Sequence, residues 1–416
     1  MIAIRSGDHP AARRSTPGDA RWRAAAALQH LASDGAPVVA YGDERAVVIA
    51  IGVDDELVID DAAGVDWPHR VSAFLGRVGP RHVVGYLGFD LHRAGVPALR
   101  RASYPAAWLA VPRSVVRVEP DGFTVLHGDT TGWLDALTGP ARPPPRFAAT
   151  GLDLDAVARA ELRARMQRAL GWIGDGPRRL TVAHQVPVRG ADLTALFAAG
   201  SGLPDTTRAF YLRNRWLTAA GRSPELLAAG TRRAFTMHKL SGTMPLAPGA
   251  APRIGAMATP KIRGEHESSI DSAVAALSAI GTVQWLGTAA LPLPRMVHLM
   301  TALRVMPHAG ASIADCLRVA LPSGARPERD GLQQLAELER AGRGAYYGLI
   351  GVIAPDRSFS FSQVLRSLFT TGEGSFGWAG AALTWASTAD AEVEEVRLKL
   401  RGVTDPCDPG EDTPPG

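Results

Sequence analysis

The segment "ADAEVEEVRLKL" (389–400) sets three glutamates and a lysine beside Val393, Val396 and Leu400. As a helix it places Glu392, Glu395 and Lys399 at i, i+3 and i+7, in one stripe next to the aliphatic stripe. Two readings follow. In the first, these residues join Glu394 and Arg397 as the wet side of an amphipathic surface helix. In the second, the stripe faces a cavity and holds a divalent cation, since hard cations such as magnesium prefer carboxylate oxygens. One helix rarely supplies a whole magnesium site, so a second carboxylate is expected from elsewhere. The candidate is "PKIRGEHESSIDSAVAALSAI" (260–280), where Pro260 starts a helix and Ile270, Val274 and Leu277 mark its buried face. Glu265 and His266 fall in its early turns. His266 by itself reads as a helix-terminus residue.

At 416 residues the chain is long enough for two or three domains, or for one large domain with a sizeable core. The 45 Lys+Arg exceed the 41 Asp+Glu by only +4 in formal charge. The basic residues are dispersed, which argues against nucleic acid as a partner. Nearly all are arginine, as a GC-rich genome would encode. Cys316 and Cys407 are the only cysteines, too few for a disulfide framework or a cysteine-based zinc site. The N-terminus lacks the roughly 7–15-residue apolar core of a signal peptide, and no apolar run of about 18 residues suggests a membrane span. These features predict a cytoplasmic protein with no membrane partner.

Residues 37–60, 81–91 and 114–128 read as antiparallel strands, the last pair joined at "PDG". "TGPARPPPRFAATG" (138–151) has the composition of a connector. From "LDLDAVARAELRARMQRALGWI" (152–173) the period becomes helical, and short strands then alternate with longer helices to about residue 403. The expected division is a β-rich part of the fold over 1–145, a core over 146–403 and a disordered acidic tail over 404–416. "GVDDELVIDD" (52–61) is acidic without calcium-loop spacing and reads as a solvated turn.

Eight segments carry a resemblance: "GRSPELLAAG" (221–230), "KLSGTMPL" (239–246), "GEHESSI" (264–270), "MVHLMTALR" (296–304), "GRGAYYGLIGVI" (342–353), "VLRSLF" (364–369), "AGAAL" (379–383) and "AEVEEVRLKL" (391–400). In this order they resemble the chorismate-utilising enzymes over roughly 160–402, with an echo in "VGYLGFDL" (84–91). That superfamily includes anthranilate, aminodeoxychorismate, isochorismate and salicylate synthases. The resemblance implies an α+β fold, one large domain with two antiparallel β-sheets packed together and surrounded by helices. It also implies that Glu265 and Glu395, with Glu392 beside them, hold Mg2+ against the ring carboxylate of chorismate. Arg366 and Tyr346 would grip the enolpyruvyl carboxylate, and Lys399 with the backbone around Gly380 would complete the anion site. Glu225 would be the general acid for the departing C4 hydroxyl, keeping its proton through desolvation. Gly242 and Thr243 would line the same pocket. His298 would lie near substrate or serve as a hydrogen-bonded core residue. Without the resemblance, Arg366 reads as a strand-to-helix surface residue.

"SSIDSAVAALSAI" in place of a "DLxRND"-type run, and "VHL" around His298, resemble the isochorismate and salicylate branch. The water-activating lysine of that branch corresponds to Arg179 in "RRLTVAHQV" (178–186). An arginine holds its proton so strongly that at pH 7 it is neutral on the order of once in a million, a penalty of roughly 7 kcal/mol. Glu328, Ala382 and Met244 also depart from the family pattern. Three functions stay open: conversion of chorismate through isochorismate to salicylate and pyruvate; amination at C2 with a separate glutamine amidotransferase; and a non-catalytic chorismate-binding relative.

Overall fold

The computed structural model describes residues 20–32, 35–130, 134–138, 147–175, 178–199, 204, 206–246, 254–257, 259–293 and 296–403. The tail over 404–416, Cys407 and residues 139–146 of the connector lie outside them. The first part of the chain forms α1 (Ala20–Ala32), β1 (Val38–Gly42), β2 (Val47–Ile51), β3 (Asp55–Ile59), α2 (Trp67–Val78), β4 (Val83–Leu87), β5 (Ala107–Val111), β6 (Ser114–Glu119), β7 (Gly122–His127) and α3 (Leu134–Thr138). Next come α4 (Ala156–Ile173), β8 (Arg179–Pro187), α5 (Leu193–Ala198), β9 (Arg208–Arg213), β10 (Leu217–Ser223), β11 (Leu226–Thr231), β12 (Ala234–Pro245) and α6 (Pro260–Ser278). The last part is β13 (Gly281–Leu293), β14 (Met296–Pro307), α7 (Ile313–Ala320), β15 (Ala325–Arg326), α8 (Glu328–Leu338), β16 (Leu349–Ile353), β17 (Phe359–Gln363), β18 (Ser367–Thr371), β19 (Gly374–Leu383) and α9 (Ala389–Arg401).

Local chemistry sets several of these boundaries. Thr259 caps α6 by accepting the Ile262 N–H, with Pro260 just inside the helix. Thr388 caps α9 in the same way through the Ala391 N–H. Pro120 and Asp121 make the two-residue loop between β6 and β7, whose register pairs Glu119 with Gly122. One expectation fails: β12, β13 and β14 are not short, running 12, 13 and 12 residues. Glycines and polar residues inside them, which read as strand ends, are absorbed by β-bulges.

The strands form two antiparallel sheets, ordered β15-β8-β19-β18-β10-β9-β1-β2-β6-β7 and β13-β14-β12-β11-β17-β16-β4-β5-β3. Both draw strands from before and after residue 145, so the β-rich N-terminal part is woven into the same sheets as the rest. Alternation along each strand makes the layers: in β1, Val38 and Ala40 face the helices, while Val39 and Tyr41 pack in the core between the sheets. Helices α1, α4, α5, α8 and α9 cover the outer face of the ten-stranded sheet, and α2, α6 and α7 that of the nine-stranded sheet.

Among the places where the chain passes from one sheet to the other, two are adjacent. Pro224–Glu225 links β10 to β11, and Val364–Arg366 links β17 to β18. The crossings are tied together, with the Gln363 N–H donating to the Glu225 carbonyl at 2.9 Å and the Arg222 N–H to the Arg366 carbonyl at 3.2 Å. Gly221 permits this approach, because a Cβ there would stand 2.7 Å from Ser367 Cβ and 2.9 Å from the Arg366 carbonyl oxygen.

Candidate active site

Beside these crossings lies a cavity of about 900 Å³, lined by residues of both sheets, α6 and α9. It includes Leu91 and His92 from the N-terminal part of the chain.

Helix α6 reaches the cavity because of a bulge in β12. Gly242, at φ +71°, interrupts the β12–β14 register between Ser241 and Thr243. A Cβ on Gly242 would lie 2.8 Å from Ile262 Cγ2 and 3.0 Å from the Ile262 carbonyl oxygen. Its absence lets α6 sit close and bring Glu265 to the cavity. The bulge also pairs Thr243 with His298 across the strands. Thr243 Oγ1 lies 3.2 Å from His298 Nδ1 and donates to Glu395 Oε1 at 3.3 Å. Burial, then Arg366 and Lys399, holds His298 well below its ordinary pKa, as a neutral imidazole. His266 is not at a helix terminus. It is buried inside α6 with its ring nitrogens 3.0 Å from Ser241 Oγ and 2.8 Å from Thr301 Oγ1, which leaves neither free for a ligand.

The charged stripe of α9 points inward. Glu392 and Glu395 are buried, while Glu394 turns outward and pairs with Arg397. Lys399 Nζ reaches Glu395 Oε1 at 2.7 Å and the Gly380 carbonyl at 2.9 Å. Lys261 Nζ, from the first turn of α6, lies 2.7 Å from Glu392 Oε1 and 3.8 Å from Glu395 Oε2. Glu265 faces this group from α6, and its buried Oε2 has no hydrogen-bond partner. Burial, with Glu395 and Glu392 adding to it, pushes the Glu265 carboxyl up to about 8. Burial opposes ionisation of Glu395 too, but Lys399 and Lys261 outweigh it and hold that carboxyl below the usual range. Among the described residues no three His, Cys, Asp or Glu side chains form a ready-made metal cage. The chemistry nevertheless fits a hard cation: three carboxylates face two ammonium groups, and buried oxygens of Glu265 and Glu392 lack a hydrogen-bond partner.

Arg366 is a correction to its reading in isolation. It joins two strands rather than a strand and a helix, at φ +48°, and its side chain is partly buried. Its hydrogen-bond partner among the described residues is Met296 Sδ, at 2.9 Å. Tyr346, which packs flat against Trp378 with ring centroids 5.4 Å apart, lies close enough to influence its charge. Arg179 is buried at the start of β8, lines the same cavity and leaves its Nε without a partner. Ala382 lines the cavity from β19, and Glu328, largely exposed at the start of α8, lines it too.

Glu225 departs from expectation in its partner. Its Oε1 lies 2.6 Å from Lys239 Nζ and also accepts the Leu240 N–H at 3.4 Å. Lys239 donates to it, so the carboxyl does not stand alone in an apolar pocket. Lys239 and Lys261 were missed, although both stand inside quoted motifs. A composition signal could have found them: Lys239, Lys261 and Lys399 are the only lysines in the chain, and each pairs with a buried glutamate of this site.

Residues 35–405 match the profile of a family described as chorismate binding enzyme. The chain is 28% identical over 322 residues to anthranilate synthase component 1 of Aeropyrum pernix, covering 72% of this chain and 71% of that protein. It is 25% identical over 373 residues to the salicylate synthase of Mycolicibacterium paratuberculosis, covering 80% and 79%. The match to anthranilate synthase component 1 of Streptomyces coelicolor spans only 38% of that protein. Among solved structures, the menaquinone-specific isochorismate synthase from Escherichia coli superposes with a TM-score of 0.68 at 20% identity, over 91% of each chain. Anthranilate synthase component I from Streptococcus pneumoniae gives 0.70 at 15% identity, over 87% of this chain and 92% of that one. Among the described residues no helix is long and apolar enough to cross a membrane.

Proposed function

This chain belongs to the chorismate binding enzyme family, and we propose that it converts chorismate, with magnesium, to isochorismate and on to salicylate plus pyruvate. The observation that carries this reading is the pairing of a partly buried guanidinium, Arg366, that has no carboxylate partner among the described residues, with a buried acid cluster holding an orphaned oxygen on Glu265. A substrate with two carboxylates, one met by arginine and one by a carboxylate-bound cation, complements both.

In this reading Glu265, Glu395 and Glu392 hold Mg2+, which when bound neutralises the ring carboxylate. Arg366 offers the enolpyruvyl carboxylate two parallel N–H donors, a geometry that a lysine cannot present. Tyr346 supplies a hydroxyl beside it. Lys399 adds positive charge near the Gly380 backbone. Thr243, positioned by the Gly242 bulge, presents its hydroxyl to the substrate, and the neutral His298 imidazole backs it. Glu225 and its partner stand where the C4 hydroxyl departs. We assign catalysis to the core over 146–403, with the N-terminal part supplying a wall of the cavity.

A second reading, amination at C2 with ammonia from a separate glutamine amidotransferase, is favoured by one observation. Arg179 occupies the position expected of the water-activating base, and an arginine does not release its proton near neutral pH. Ammonia needs no such activation. Purified protein incubated with chorismate and magnesium, followed by salicylate fluorescence and mass spectrometry, tests the first reading. Parallel samples with ammonium salts test the second. Undiminished chorismate in both would reject an enzymatic role.

A further inference from the structure

The geometry points to Lys239 as the group that protonates the departing C4 hydroxyl, with Glu225 as its counter-ion instead of the donor. This rests on the chorismate reading above.

Three observations support it. First, Lys239 Nζ and Glu225 Oε1 are 2.6 Å apart with side chains only 12% and 5% exposed, and the same oxygen accepts the Leu240 N–H. An amine is ordinarily more basic than a glutamate carboxylate by about six pK units. In this contact the Lys239 Nζ–H donates and Glu225 Oε1 accepts. Second, both side chains line the cavity, and the neighbouring groups are poor donors. His266, which faces Lys239 from α6, has its ring nitrogens engaged by Ser241 Oγ at 3.0 Å and Thr301 Oγ1 at 2.8 Å. The Thr243 hydroxyl donates to Glu395, and His298 is neutral. Third, only Lys239, Lys261 and Lys399 among the 45 basic residues are lysine. Where charge alone suffices this chain uses arginine, whose proton is not available for transfer; an ammonium can give its proton up. Lys261 and Lys399 belong to the acid cluster, which leaves Lys239 at the Glu225 side.

In the step, the Nζ–H bond breaks and the proton passes to the hydroxyl oxygen. The C4–O bond breaks with its electron pair leaving on oxygen, and water departs. Both ring double bonds shift, C1=C2 to C1=C6 and C5=C6 to C4=C5, as water, the second reactant, forms its bond at C2. The proton lost by that water restores the ammonium through solvent, so no proton is gained or lost overall.

Lys239→Arg keeps the charge and the Glu225 pair but removes the transferable proton. Chorismate turnover by this variant is expected to fall at least 100-fold with KM within threefold of wild type and an unchanged thermal melt. Glu225→Gln should retain more turnover than Lys239→Arg, and its rate should decline at lower pH than wild type, because the ammonium has lost its counter-ion. Turnover by Lys239→Arg within threefold of wild type, or Glu225→Gln less active than Lys239→Arg, overturns the inference while leaving the chorismate reading standing. A wild-type protein that leaves chorismate untouched overturns both. Should Lys239→Arg fail to fold, Lys239→Gln takes its place with the same expected loss, and equal activity to wild type overturns the inference.

Discussion

Replacing Gly242 by alanine tests whether the β12 bulge builds the site. The added Cβ meets Ile262 Cγ2 at 2.8 Å and the Ile262 carbonyl at 3.0 Å, and the backbone stays at φ +71°. Holding a residue with a Cβ in the left-handed region costs about 1–2 kcal/mol. Overpacking against a helix costs about 1–3 kcal/mol more. The Cγ2 methyl can turn aside but the carbonyl belongs to the α6 backbone, so relief requires the first turns of α6 to move away from β12. Glu265 lies three residues beyond Ile262 and moves with them, whereas Glu392 and Glu395, on α9, do not. Gly242→Ala should therefore lose roughly 2–5 kcal/mol of unfolding free energy in a urea titration. It should also need more magnesium for half-maximal turnover, by at least tenfold, while its KM for chorismate at saturating magnesium changes less. A variant within about 0.5 kcal/mol of wild type, with an unchanged magnesium requirement, would refute the idea that this glycine sets the distance of α6.

Arg366→Met removes a partly buried guanidinium that has no carboxylate partner among the described residues, so the free protein should lose no stability and gain up to about 1 kcal/mol in urea unfolding while losing chorismate turnover; lower stability would contradict that account of the group. Arg179→Lys introduces a base that burial can deprotonate, and isochorismate formation should rise at least tenfold by mass spectrometry; no gain would mean that Arg179 does not stand at the nucleophile. Burial, then Arg165 at 2.6 Å, pushes His184 down to about 4. Below its ordinary value near 6.5 the unfolded chain binds this proton and the folded one does not, so stability falls as pH drops from about 6.5 to 4, by up to roughly 3 kcal/mol. His184→Gln should flatten that slope in denaturation curves taken across the interval, and an unaltered slope would assign it to other groups.

Features set by neighbouring residues were legible in the amino-acid order. The start of α6 at Pro260 and the hairpin at Pro120–Asp121 each depend on contacts within a few positions. The period of the aliphatic stripe likewise set which α9 residues share a face, and eight ordered motifs carried the family resemblance. The sequence did not determine which way the charged stripe turns, because a solvated and a buried helix can share one local pattern. Packing of α9 against β19 and α4 decided that. It converted Glu392 and Glu395 from surface charges into buried ones that require Lys261 and Lys399. Arg366 shows the same limit: its burial follows from pairing β18 with β10, about 150 residues earlier in the chain, and no local window contains that contact. Sequence alone thus determined the helices, the turns and the family to which their order points. Only the tertiary structure decided which charges lose their water and which partners replace it, since desolvation depends on what packs against a residue and not on what precedes it in the chain.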